Sequence, residues 1–224
     1  MTKTNLLAEE RAVRIHAGPV SLDGDLSVPA HARAVVLFAH GSGSSRFSSR
    51  NKRVAALFHE SAFATLLIDL LTPNEDEVDA FTREYRFDIG RLAERLIGAV
   101  EWLAEEPSTA KLPVALFGAS TGGGAALVAA AEVPDRVAAV VSRGGRPDLA
   151  GPALARVRAP TLLIVGGNDE PVIELNREAL AQLTAPARLE VIPGATHLFE
   201  EPGALDEVAR HAAAWIETYV AVAT

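Results

Sequence analysis

Apolar residues recur along this chain in two rhythms. Mostly apolar runs near residues 34–39, 64–68, 112–117, 137–142 and 161–165 are too short for helices and carry no polar alternation, which predicts strands buried on both faces, and 188–192, with Leu189, Val191 and Ile192 about Glu190, reads as a further strand. Between them the period lengthens. Ile89, Leu92, Leu96, Ile97, Val100 and Leu103 recur at helical spacing behind Asp88, a suitable N-cap, and Leu205, Val208, Ala209, Ala212, Ile216, Tyr219 and Val220 repeat the pattern near the end. Trp102 and Trp215 fall within these helices and are expected to pack on the sheet. Ahead of them, Arg11 to His16 and Val20 to Val28 read as an antiparallel pair, with a turn expected at Asp23-Gly24. Strands joined by crossover helices predict an α/β fold with a mostly parallel central sheet of about eight strands flanked by helices. Its functional loops are expected at the carboxyl edge of the sheet.

One stretch breaks the alternation. Leu71 to Phe87 contains Thr72-Pro73-Asn74, the acidic run Glu75, Asp76 and Glu77, and Arg83, Tyr85 and Arg86. It is expected to be irregular and to start on the same edge as the functional loops, as the candidate for a lid, with Phe81, Tyr85 or Phe87 walling a substrate pocket.

The chemistry concentrates where the run ending at Phe117 gives way to Gly118-Ala119-Ser120-Thr121-Gly122. In a G-x-S-x-G sequence between a strand and a helix, small neighbours permit a sharp turn that stands one hydroxyl at the helix N-terminus. A glycine-rich bend also occurs where a strand and a helix merely pack closely, so the partners of Ser120 decide the reading. An activated serine needs a base, and the base needs a carboxylate to orient it. Asp169 lies in Gly166-Gly167-Asn168-Asp169, just past a strand, and His197 lies in Gly194-Ala195-Thr196-His197, just past the next. The order serine, acid, histidine fits a nucleophile elbow. Asp148 sits beside Pro147 as a turn or helix-start residue, and Glu170 precedes Pro171, which restricts its backbone. Among the six histidines, His16 and His31 precede the elbow, while His59 and His211 sit inside helical patterns.

His40 belongs to a second motif. His40-Gly41-Ser42-Gly43 closes the strand at 34–39 and is followed by Ser44, Ser45 and Arg46. Acyl transfer needs two backbone N–H donors at the developing oxyanion, and Thr121 and Ser42 are the candidates, with Gly41 and Gly43 letting the backbone approach. A phosphate-cradling G-x-G-x-x-G would need glycine where Arg46 stands. His40, Gly41 and Arg143 are further candidates for substrate contact. Arg143 and Arg146 follow the strand after the elbow helix, and a role for them would imply an anionic group on the substrate.

Taken together, these four motifs resemble the α/β-hydrolase superfamily, and the size without a large cap together with Gly41-Ser42-Gly43-Ser44-Ser45-Arg46 is most similar to its dienelactone hydrolase-like branch. The resemblance spans about Val13 to Val220. It implies hydrolysis of an ester, lactone or thioester through a Ser120, Asp169, His197 triad, without a cofactor. Dienelactone hydrolases proper use a cysteine nucleophile, and this chain has no cysteine, so the resemblance carries fold and triad geometry and not lactone specificity. A carboxylesterase on small esters is the leading expectation, ahead of a thioesterase or lactonase and of a ligand-binding descendant of the fold, which would have no physical reason to keep all three triad residues.

Composition narrows the classes further. The 224 residues, 49% of them hydrophobic, suit one domain spanning 1–224. A formal net charge of −8 argues against nucleic acid as a partner, since phosphate binding relies on a basic surface. Met1 to Arg11 is polar and lacks the apolar core of a secretory signal, and no run is long enough to span a membrane, so a cytoplasmic protein without membrane partners is expected. Thiolate metal sites are excluded, and no H-x-x-x-H or H-E-x-x-H pair occurs, so no metal is expected.

Overall fold

The computed structural model describes residues 9–220, which leaves most of the polar Met1 to Arg11 stretch outside the described residues. Its centre is one eight-stranded sheet in the order β1-β2-β4-β3-β5-β6-β7-β8, formed by β1 (Glu9–Ala17), β2 (Val20–Val28), β3 (Ala34–Ala39), β4 (Phe63–Ile68), β5 (Val114–Ala119), β6 (Val137–Arg143), β7 (Thr161–Gly166) and β8 (Ala187–Ile192). β1 and β2 pair antiparallel and β2 joins β4 antiparallel, whereas β3 to β8 all run parallel. Every residue of β3, β4, β5 and β7 is buried, as expected of strands covered on both faces.

Helices supply the covers. Leu92, Leu96, Val100 and Leu103 of α3 (Ile89–Glu105) and the Ala125–Ala131 segment of α4 (Thr121–Glu132) pack with the sheet into one core, to which Ala179 of α5 (Glu170–Leu180) also belongs. On the other face, Val54 and Phe58 of α1 (Ser49–Glu60) and Val208, Ala212 and Ile216 of α6 (Ala204–Val220) build a second core. Phe58 packs there on Phe38 and Phe117 with ring centroids 5.9 and 5.8 Å away. Burying side chains of this size contributes about 1.5–3 kcal/mol each. Among the described residues no large cap covers the sheet, as expected, and α3 starts at Asp88, whose side chain accepts the Arg91 N–H.

Three local expectations are corrected. Asp23 and Gly24 do not turn; they pair with Arg14 and Val13 inside β2, and the chain reverses at Gly18, where φ is +61°. A Cβ at Gly24 would stand 2.7 Å from Ile15 Cδ1, so the tip of that side chain would have to shift to admit one. The strand expected at 112–117 begins at Val114, since Pro113 has no N–H to give to the ladder and contributes only its carbonyl, to the Val35 N–H, and it runs on to Ala119. Finally, Leu71 to Phe87 is ordered. It holds α2 (Pro73–Thr82) and a single 3-10 turn, Tyr85–Phe87. Thr72 accepts the Glu75 N–H while Glu75 accepts the Thr72 N–H, a capping box with Pro73 in the first turn. Buried Asp79 then gathers the N–H groups of Tyr85 and Arg86.

The strand order positions the site. After β3 the chain crosses to β4 on one side and then to β5 on the other, so β3 and β5 lie side by side where the direction of winding reverses. In open parallel sheets that crevice at the carboxyl ends is where ligands bind.

Candidate active site

Ser120 stands at the end of β5 with φ +50° and ψ −122°, a conformation a β-carbon disfavours. The turn is held from several sides. The Ser120 N–H donates to the Arg143 carbonyl (3.3 Å), and the Ser120 carbonyl accepts from Gly123 and Arg146 (3.0 Å each). Packing explains the glycines: a Cβ at Gly122 would collide with the Ala39 and His40 carbonyls, and one at Gly118 would lie 2.6 Å from Gly123 Cα. Although Ser120 occupies the N-cap of α4, its side chain caps nothing.

The acid and the histidine are brought together by their loops. The Gly167 N–H donates to the Ile192 carbonyl (2.8 Å), the Asn168 N–H to the Ala195 carbonyl (2.9 Å), and the Asn168 amide to the Gly194 carbonyl (2.8 Å). This stitching sets Asp169 Oδ2 2.6 Å from His197 Nδ1. Nδ1 must be the donor in that bond, which leaves Nε2 as the acceptor of the neutral ring. Asp169 is the N-cap of α5 and, like Ser120, does not cap its helix. Ser120 and His197 line one cavity of about 250 Å³, together with Gly41, Ser42, Ser44, Ser48, Arg50, Asn51, Ala119, Arg143 and Leu198. Their side chains share this space without a hydrogen bond between them.

The loop after β3 closes another wall. Gly41 to Ser44 forms a turn in which the Ser44 N–H donates to the Gly41 carbonyl (3.2 Å) and Gly43 takes φ +68°. Gly41 sits against the nucleophile turn, since a Cβ there would be 3.1 Å from Ser120 Cβ. Among the described residues, neither the Ser42 N–H nor the Thr121 N–H has a protein acceptor. His40 is spent on the backbone: Nε2 accepts the Leu70 N–H (3.1 Å), so Nδ1 carries the proton and faces the Gly41 carbonyl (2.9 Å). Burial pushes its pKa down and keeps the ring neutral, outweighing the Gly41 carbonyl and the charge of Asp69.

Other expected contacts fall elsewhere. Phe81 and Phe87 are 91% and 56% exposed, and Tyr85 packs on the core with Arg91 stacked over its ring, so none of the three walls this cavity. For Phe81 the reason is α2, a regular helix that turns this residue outward, while Tyr85 and Phe87 lie in the 3-10 turn beyond it. Arg146 is held by Asp148 through two bonds of 2.8 and 2.7 Å, whereas Arg143 lines the cavity. Arg50 and Asn51 were not legible as cavity residues, because their positions on α1 carry no motif.

Residues 22–222 match the model of the dienelactone hydrolase family. The chain belongs to that family. It is similar to a dienelactone hydrolase from Anabaena variabilis ATCC 29413 of known crystal structure, with 60% identity, a TM-score of 0.93, and coverage of 95% of this chain and 99% of that one. Family membership supports a hydrolase. Among curated proteins, a putative phosphoribosyl transferase of Mycobacterium tuberculosis (strain ATCC 25618 / H37Rv) is 57% identical over 206 residues. That match covers 92% of this chain and 46% of the relative, so the chain spans about half the length of the curated relatives it matches. An esterase domain from a Rhodothermus marinus protein shares the fold at 20% identity, with a TM-score of 0.74 over 95% of this chain and 99% of that one.

Proposed function

We propose that this chain is a serine hydrolase that cleaves small carboxylic esters through an acyl-enzyme. The observation that carries the reading is a strained serine with an uncommitted hydroxyl in the same cavity as a histidine oriented by a carboxylate. In this reading His197 Nε2 accepts the Ser120 proton while Oγ attacks the substrate carbonyl carbon. The resulting oxyanion is held by the Ser42 and Thr121 N–H groups, each such donor contributing roughly 3–4 kcal/mol to transition-state stabilisation. Collapse of the tetrahedral intermediate expels the alkoxide, which takes the proton from His197 and departs as the alcohol. Water then attacks the acyl-serine with His197 as base, releasing the acid and regenerating Ser120. Asp169 holds the imidazole in the useful tautomer and stabilises its protonated form. His40 enters as a positioning residue that ties the Gly41 turn to Leu70. No step calls for a cofactor.

The test is hydrolysis of p-nitrophenyl acetate and butyrate beside matched thioesters and lactones. Ester turnover that disappears in Ser120→Ala, with a serine-directed phosphonate adduct mapped to Ser120 by mass spectrometry, is the expected result. An adduct on another residue, or full turnover in the variant, overturns it. Faster turnover of thioesters or lactones would keep the triad and change the substrate bond.

A further inference from the structure

Arg143 is the anomaly of this cavity. It is only 7% exposed, and among the described residues the one hydrogen-bond partner of its guanidinium is the Asn51 side-chain oxygen at 3.3 Å from Nη2. Nε and Nη1 are buried with no partner at all. A neighbouring charge makes matters worse, for it belongs to Arg50, whose own carboxylate partner, Glu200, lies 3.3 Å away out at the surface. Burial, with help from Arg50, pushes the Arg143 pKa down to about 10, which still leaves the side chain charged at neutral pH. Removing a cation from water without an anion costs several kcal/mol, so a fold normally supplies a carboxylate. Here the cavity wall contains two arginines and no aspartate or glutamate.

Resting on the esterase reading, we propose that Arg143, assisted by Arg50, binds an anionic oxyacid group, carboxylate or phosphoryl, carried on the acyl part of the substrate. The register explains why this group would lie near the scissile bond. Arg143 is the last residue of β6, paired with Ala119 of β5, and its carbonyl holds the Ser120 N–H. Arg143 and Ser120 therefore line one cavity of about 250 Å³, which holds a short acyl chain. Phe199, whose ring lies 5.9 Å below the guanidinium, and Asn51 fix the side chain and leave its charge uncompensated until substrate arrives.

The experiment compares p-nitrophenyl acetate with p-nitrophenyl hemisuccinate and p-nitrophenyl phosphonoacetate, which share a leaving group and differ in acyl charge. Charge-assisted hydrogen bonds of this kind correspond to at least tenfold in kcat/KM. We expect the wild type to favour one anionic ester over the acetate by tenfold or more, and the favoured one identifies the oxyacid. That ratio should fall at least tenfold in Arg143→Gln, be partly kept in Arg143→Lys, and fall two- to fivefold in Arg50→Gln, a half-exposed position whose replacement leaves the core intact. Calorimetric titration with sodium malonate and inorganic phosphate reads the same site without turnover, and affinity should drop at least tenfold in Arg143→Gln. Acetate turnover without any anionic preference, or equal anion binding by wild type and Arg143→Gln, overturns the inference and leaves the esterase reading standing. Anion binding that depends on Arg143 in a protein that turns over no ester does the reverse.

Discussion

Two groups of helix starts in this molecule use the same residue types for opposite ends. At α1, α2 and α3, the side chains of Ser48, Thr72 and Asp88 accept the N–H of Asn51, Glu75 and Arg91 at 3.3, 3.3 and 3.1 Å. At α4 and α5, Ser120 and Asp169 occupy the equivalent positions and their side chains cap nothing. A filled cap contributes about 1 kcal/mol, so each empty one forgoes that amount. Ser120 adds backbone strain of order 1–3 kcal/mol. What the second group gains is availability: Asp169 spends its oxygen on His197, and the Thr121 N–H beside Ser120 has no protein acceptor. Under the proposed function, a capping residue that does not cap marks where stability has been exchanged for chemistry.

That contrast breaks most sharply at Ser120. Ser120→Ala is expected to lower ester kcat by roughly 10⁴-fold or more, with the melting temperature unchanged because no cap is lost. A fall in stability near 1 kcal/mol, measured by urea unfolding, would mean that the hydroxyl was a structural cap after all. Next in size, Asp169→Asn should cost about 10³- to 10⁴-fold in kcat, because an amide at this position can stabilise the wrong imidazole tautomer. Its urea midpoint should stay near that of wild type, for the same reason as at Ser120. Loss of stability with retained kcat would assign Asp169 to the capping group.

How far this division could be read from the sequence depends on how local each signal is. The mostly apolar strands and the G-x-S-x-G bend are contiguous, so periodicity and glycine spacing were enough to find β3 to β8, with the bounds of β5 shifted by two residues, and to bring Ser120 to the sheet edge. The proximity of Asp169 to His197 was inferable because each follows a parallel strand, and parallel neighbours put their outgoing loops side by side. Thr72-Pro73-Asn74-Glu75 carries the complete signature of a helix start, yet the surrounding charges suggested a loop, since α2 offers little apolar face to reveal its period. Arg143 is a different case. Its isolation depends on which carboxylates fail to reach it from α1, β6 and the loop after β8, a property of the assembled cavity that no stretch of chain encodes.

The capping group has its own, smaller test. Thr72→Ala removes the acceptor for the Glu75 N–H and is expected to lower stability by about 1 kcal/mol, while kcat/KM stays within twofold of wild type. A loss of activity as large as that at Asp169 would erase the distinction between the two groups.

The smallest expected effect is a pH dependence to which the filled cap of α2 contributes. Burial disfavours the charged form of Glu75, but the Thr72 N–H, Arg95 and Arg91 outweigh it and hold the carboxyl below its ordinary range. Asp79 is likewise held low by Arg86 and the Tyr85 N–H against the effect of burial. A carboxylate whose pKa is depressed on folding contributes stability that is fully present above its unfolded value, about 4, and is lost as pH falls through the folded value. Urea midpoints should therefore decline from about pH 4 downward, and Glu75→Gln should flatten part of that decline while lowering stability at pH 7. Both follow because the variant forfeits the same charge-assisted bonds, to Arg91 at 2.8 Å and to Arg95 at 3.0 Å, that acid would titrate away. A slope unchanged by Glu75→Gln would remove the α2 cap from the acid response and leave it to Asp79, to Glu106, which Arg11 and Ser108 also hold low, and to Glu201, which Thr196 holds low.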